Sequence, residues 1–248
     1  MSLTRGTGFI LPTREDQGQH AHAGRIRIGA AQRPVSHAFG SPITLNQIGQ
    51  TCTGFGLLQA VHNFLAARGI ARELISPMFP YWYARRTLVA HDQDVTDTGA
   101  DPFALVDAVH DFGACAWQDM PPPTDRARLN DPPPTVAIVA AQQLKLELVT
   151  IFSDVVDTTL DYLAQDVPVL VAVDVDLDFE RDAGPDLVGY PTGDIAGIHC
   201  MELDAYDADG TIVQNSWGPA WRNGGRAKLT HDYLARARWA AALKVRLS

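Results

Sequence analysis

Residues 46–65 read Asn46-Gln47-Ile48-Gly49-Gln50-Thr51-Cys52-Thr53-Gly54-Phe55-Gly56-Leu57-Leu58-Gln59-Ala60-Val61-His62-Asn63-Phe64-Leu65. In the second half, Leu57, Val61, Phe64 and Leu65 fall at i, i+4, i+7 and i+8, one apolar stripe of a 3.6-residue period. That stripe predicts an amphipathic helix, and the glycine after Arg68 supplies its stop. Cys52 stands at the helix start, where unsatisfied backbone N–H groups and the helix dipole favour negative charge. Such a location lowers a thiol pKa and favours the thiolate. A lone cysteine is more often a small buried apolar residue, and a thiolate becomes a catalyst only with a base and a group that orients the base. The chain has to supply both elsewhere.

It does so near the other end. Gly197-Ile198-His199-Cys200-Met201-Glu202-Leu203 and Thr211-Ile212-Val213-Gln214-Asn215-Ser216-Trp217-Gly218 flank an Asp209-Gly210 turn and read as two strands. A hairpin of this kind can bring His199 and Asn215 to one end of a sheet. Cys52 heading a helix, His199 opening a strand, and Asn215-Ser216-Trp217-Gly218 followed by Trp221 and Gly224-Gly225 resemble the papain-like cysteine peptidases of the C1 family, in their bacterial and phage form. The sixteen-residue step from His199 to Asn215 fits the same pattern. The resemblance covers roughly residues 40–248. It implies an α+β, papain-like two-lobe fold: a helical lobe, a β-rich, barrel-like lobe, and the active site in the cleft between them.

The resemblance also implies roles. Cys52 is the nucleophile that forms an acyl-thioester, His199 the general acid and base, and Asn215 the residue that orients the imidazole. Trp217 covers the His–Asn hydrogen bond from water. The oxyanion donor in this family is a glutamine six residues before the nucleophile, and here Asn46 holds that offset while Gln47 lies five residues before Cys52. The Asn-Gln dipeptide matches, so a one-residue deletion in the loop leaves Gln47 as the leading candidate, with Gln50 and Asn46 as alternatives. Thr53 replaces the aromatic residue that often follows the nucleophile in plant and lysosomal relatives. Gly99, in Thr98-Gly99-Ala100, resembles the glycine that pairs with substrate backbone, although a plain turn glycine reads equally well. Ile198 lines the pocket for an apolar side chain on the acyl side. The implied activity is hydrolysis of a peptide or isopeptide bond in a peptide or protein substrate. Amide hydrolysis of small molecules or acyl transfer uses the same residues, and a catalytically silent binding module is the rival from another class.

Composition bounds these readings. The 248 residues carry a formal charge of −9 and 46% apolar content, which suits a substantial core and argues against a nucleic-acid surface. No apolar run reaches the length of a membrane span, and residues 1–10 lack the apolar core of a signal peptide. Three cysteines, Cys52, Cys115 and Cys200, form no disulfide framework, so a cytoplasmic setting with three thiols is expected, export by another route aside. Oligomeric state is left open.

Residues 1–40 read as an extended arm, with a short alternation Arg25–Ile28 and a His20/His22 pair that lacks a third metal ligand. Residues 41–248 make the peptidase domain, with the helical lobe over about 45–120 and the β-rich lobe over about 135–248. Ser76-Pro77 and Asp101-Pro102 are helix starts, and Gly113 ends the second of these helices. Pro121-Pro122-Pro123 and Pro132-Pro133-Pro134 read as stiff crossings between lobes. Leu144, Leu146 and Leu148 alternate with Lys145 and Glu147 as a half-buried strand, residues 155–165 fit a short helix, and Val167–Val175 fits a central strand. Asp174-x-Asp176-x-Asp178 lacks the glycine of a calcium loop and reads as carboxylates on an exposed strand face. No metal and no organic cofactor is implied.

Overall fold

Helix α1, Cys52–Ala66, lies at the centre of the chain's packing, and all its residues except His62 and Ala66 are buried. In this computed structural model residues 33–247 are described. Most of the expected arm over residues 1–40, with the Arg25–Ile28 alternation and the His20/His22 pair, lies outside the described residues. Two glycines let α1 approach its neighbours. A Cβ on Gly54 would sit 2.1 Å from the Pro77 carbonyl oxygen, and one on Gly56 would press on Leu170 at 3.2 Å. The helix closes on the expected glycine: Gly69 has φ +65°, its N–H donates to the Ala66 carbonyl, and the Ile70 N–H donates to that of Leu65. These two bonds satisfy carbonyls that the helix end would otherwise orphan.

The next helices, α2 (Met78–Arg86) and α3 (Pro102–Asp111), begin as their caps require. Ser76 Oγ accepts from the N–H groups of Met78 and Phe79, and the Asp101 carboxylate accepts from those of Phe103 and Ala104. Helix α4 (Thr135–Ala141) was not expected. Its seven residues are too few to show a helical period, and the proline triplet before it reads as extended chain.

Among the described residues eight strands build one sheet: β1 (His37–Ala38), β2 (Leu144–Thr150), β3 (Val169–Val175), β4 (Leu187–Val188), β5 (Gly197–Tyr206), β6 (Gly210–Gln214), β7 (Arg226–Thr230) and β8 (Trp239–Leu247). The order is β2-β8-β3-β5-β6-β7-β4, with β1 added against β5, and every pair is antiparallel except β4 with β7. The sheet is open. The expected barrel-like form does not close, because β2 and the two-residue β4 stand at opposite ends of the order and do not pair. Short helices α5 (Val155–Leu163), α6 (Leu177–Glu180) and α7 (His231–Ala235) accompany the strands.

Alternation along the central strands divides the core. On β3, Leu170 and Ala172 join the apolar cluster of α1 and α3, while Val169, Val171, Val173 and Val175 join a second cluster with Leu160, Leu163 and Trp221. The sheet is thus buried on both faces, with the α1–α3 helices on one of them. Asp174 departs from expectation. It is 1% exposed, because β3 is covered on both sides, and it is held by Arg238 and by the Tyr190 hydroxyl at 2.6 Å. Asp176 caps α6 by accepting from the Phe179 N–H. None of the described helices is long and apolar enough to cross a membrane.

Candidate active site

His199 and Asn215 meet because β5 and β6 are adjacent. His199 sits near the start of β5, opposite Val173, and Asn215 leaves the end of β6, where its N–H donates to the Gly225 carbonyl. His199 Nε2 lies 2.7 Å from Asn215 Oδ1. The Ser216 N–H donates to that same oxygen at 2.7 Å, which fixes which end of the Asn215 amide faces the ring. An amide oxygen only accepts, so Nε2 must carry the proton and a neutral imidazole keeps its lone pair on Nδ1. Nδ1 is buried and makes no hydrogen bond among the described residues. Trp217 stacks on the ring at 4.3 Å between centroids and 26° between planes, and so screens the His–Asn bond. Burial pulls the His199 pKa down to about 4, against the smaller upward effect of the Asn215 hydrogen bond.

Cys52 is fully buried as the first residue of α1. Gly56, Gln59 and Asn63 follow it at +4, +7 and +11, on one helix face. That face lies on the sheet. Gly56 abuts Cys200 and Met201, Gln59 donates to the Asn215 carbonyl at 3.1 Å, and Asn63 donates to Glu202 and Asp204. Contacts therefore advance along α1 and β5 in the same sense. Cys52, one turn before Gly56, accordingly lies at the His199 end of β5. The other two thiols are held protonated: burial pushes Cys115 up to about 12, and burial with the nearby Cys52 raises Cys200 well above the usual range. No disulfide joins any of the three.

The loop before Cys52 is zipped onto the Asn215–Gly218 segment. The Gly218 N–H donates to the Leu45 carbonyl, the Gln47 N–H to the Ser216 carbonyl, and Asn46 forms an isolated bridge with Trp217. Gln47 is half-buried. Its Oε1 accepts from the Ser216 hydroxyl at 2.6 Å, and its Nε2 donates to the Gly49 carbonyl at 3.0 Å. Of the two alternatives, Asn46 is exposed, and the Gln50 main-chain N–H is directed at Asp97. Gly99 is buried at φ +93°, and its N–H donates to the Tyr81 hydroxyl, which itself donates to Asp97. Ile198 is half-buried against the helical-side core, opposite Asp174 in the register.

Several residues around the site escaped sequence reading: Ser216 on Gln47, Gln59 on Asn215, and Asn63 on a buried carboxyl pair. The usable signal was present in α1, where two amides in line with Cys52 interrupt an otherwise apolar helix. At the pair, Asp204 is bound by Arg226, while burial and then Asp204 push the Glu202 carboxyl well above its ordinary range. Among the described residues no group of His, Cys, Asp and Glu side chains is arranged to hold a metal ion.

No family model matches this sequence, and no curated protein matches it. Solved structures do. Xylellain, a cysteine protease from Xylella fastidiosa, superposes with a TM-score of 0.80 at 18% identity, over 100% of this chain and 98% of that one. Digestive procathepsin L 3 of Tenebrio molitor larval midgut gives 0.63 at 18% identity, over 96% of this chain and 75% of that one. The Carica candamarcensis cysteine protease CMS1MS2, in complex with E-64, gives 0.59 at 16% identity, over 84% and 97%. The chain has the papain-like fold.

Proposed function

We propose that the protein is a cysteine peptidase acting through Cys52, His199 and Asn215. The observation that carries this reading is the His199 ring, held through Nε2 by an amide oxygen that Ser216 orients, with Nδ1 left as the base at the Cys52 end of β5. Similarity to the fold of proteins described as cysteine proteases supports it.

In the forward step the Cys52 thiol proton passes to Nδ1 and the thiolate attacks the carbonyl carbon of a peptide bond. A buried imidazole with a pKa near 4 resists charging alone, so thiolate and imidazolium form together as a pair. The oxyanion is met by the Gln47 side-chain amide and by the Cys52 main-chain N–H at the start of α1. Nδ1 then protonates the leaving amine. An acyl-thioester remains on Cys52. Water, deprotonated by Nδ1, attacks the thioester, and the acid product leaves as the thiol reforms. Peptides and proteins are the substrate class, Ile198 offers an apolar wall beside the histidine, and three thiols without a disulfide suit a reducing, cytoplasmic setting.

The test is labelling with an epoxysuccinyl probe, mapped by mass spectrometry, beside hydrolysis of a peptide library. The expected result is an adduct on Cys52, with cleavage that disappears in Cys52→Ala while the melting temperature hardly moves. Wild-type cleavage by Cys52→Ala would overturn the assignment.

A further inference from the structure

Gln59 is an amide in the middle of an apolar helix, 1% exposed, in a place where leucine or methionine would fill the same volume. Its Nε2 donates to two carbonyl oxygens at once, that of Asn215 at 3.1 Å and that of Ile43 at 3.2 Å. The two acceptors belong to different segments. One carries Asn215, and the other leads directly into the loop that holds Gln47. The helix between them carries Cys52, two turns or about 10 Å away along the axis. The amide orientation is dictated by its partners, since exchanging its ends would set Oε1 against two carbonyl oxygens. Oε1 itself is buried with no hydrogen-bond partner among the described residues. Plain packing gives no reason to leave a buried acceptor unsatisfied. Keeping both donors in place does.

We propose that Gln59 is a positioning residue of this site, whose NH₂ group sets the Cys52 helix against both the Asn215 segment and the approach to Gln47. The inference rests on the cysteine-peptidase reading above. Asn63 holds the helix one turn further on, through Glu202 and Asp204, so Gln59 is the polar tie nearer to the reacting atoms. A misplacement of about 1 Å in a reacting geometry can lower a rate by about a hundredfold. Removing the amide therefore falls on turnover rather than on substrate affinity.

The experiment compares Gln59→Leu, Gln59→Glu and the wild type in full-length protein, with Val61→Ala as a control for destabilisation of the same helix. Peptide hydrolysis gives kcat and KM. Alkylation of Cys52 by iodoacetamide across pH, read by mass spectrometry, reports the thiolate without any substrate. For Gln59→Leu the expected result is a fall in kcat of about 10- to 100-fold, KM within about twofold, and a rise in the pH at which Cys52 alkylates. Gln59→Glu regains one donor only when its carboxyl is protonated, so its activity relative to wild type rises as pH falls from 8 to 5. Unchanged kcat in Gln59→Leu, or a loss no larger than that of Val61→Ala at equal melting temperature, overturns the proposal. If Gln59→Leu does not fold, a pH-independent ratio for Gln59→Glu overturns it instead. Should the wild type cleave no peptide, the peptidase reading falls, and an alkylation profile that Gln59→Leu or Gln59→Glu leaves unmoved overturns the positioning role separately.

Discussion

The Ser216 hydroxyl donates to Oε1 of Gln47 at 2.6 Å, and the Gln47 main-chain N–H donates back to the Ser216 carbonyl at 2.7 Å. This closed pair of bonds fixes the Gln47 backbone and assigns the two ends of its amide, so the NH₂ points away from Ser216. Gln47→Ala is expected to lower kcat by about 10²- to 10³-fold, the cost of one oxyanion donor. Ser216→Ala removes the bond to Oε1 and leaves that from Nε2 to the Gly49 carbonyl, and a loss of about tenfold is expected from one hydrogen bond. Steady-state kinetics check both. A fully active Gln47→Ala, beside an inactive Gln50→Ala or Asn46→Ala, would move the donor elsewhere.

Asn215→Ala removes the acceptor that keeps the proton on Nε2 of His199. The ring can then protonate at Nδ1 and present no base to Cys52. A fall in kcat of about a hundredfold is expected, of the size general-base catalysis contributes. Trp217→Ala should act in the same direction more weakly, by admitting water to the same bond. The ratio of the two rates is the measurement.

His199 titrates from 6.5 in the unfolded chain to about 4 when folded. Above the first value neither state binds the proton, and the histidine adds no pH dependence. As pH falls from 6.5 towards 4, the unfolded chain binds it first, so stability falls with pH and levels off below the folded value. Thermal unfolding at pH 7 and pH 4.5 should show a smaller drop for His199→Gln than for the wild type. Equal drops would mean the buried ring is already charged in the folded state.

Glu202 has the opposite sign. Its folded pKa lies well above the ordinary 4.5, so the unfolded chain releases the proton first as pH rises, and stability is lost from about that value upwards. Glu202→Gln keeps an oxygen for Asn63 and cannot ionise beside Asp204. Its melting temperature should exceed the wild type's at pH 8 by clearly more than at pH 5. A variant less stable than the wild type at pH 8 would show that Glu202 is charged and needed as such.

What the sequence determined by itself is what local forces decide. The apolar stripe of α1, the caps at Ser76 and Asp101, the left-handed glycine after Arg68 and the Leu144–Leu148 alternation each act within a few residues. The structure has an element at each. The sixteen-residue spacing of His199 and Asn215 was legible for the same reason, since a hairpin turns one strand directly onto the next. Helix α4 and the parallel pairing of β4 with β7 were not, because elements of two to seven residues carry too little period. Tertiary structure alone decided the ties that hold the site: Gln47 with Ser216 across 169 positions, Gln59 with Asn215 across 156, and Asn63 with Glu202 across 139. It also decided that Asp174 is buried against Arg238 rather than exposed. An amide or a carboxylate carries no periodicity of its own. Its role is set by the donor or acceptor that packing brings within about 3 Å, and only the folded chain names that partner.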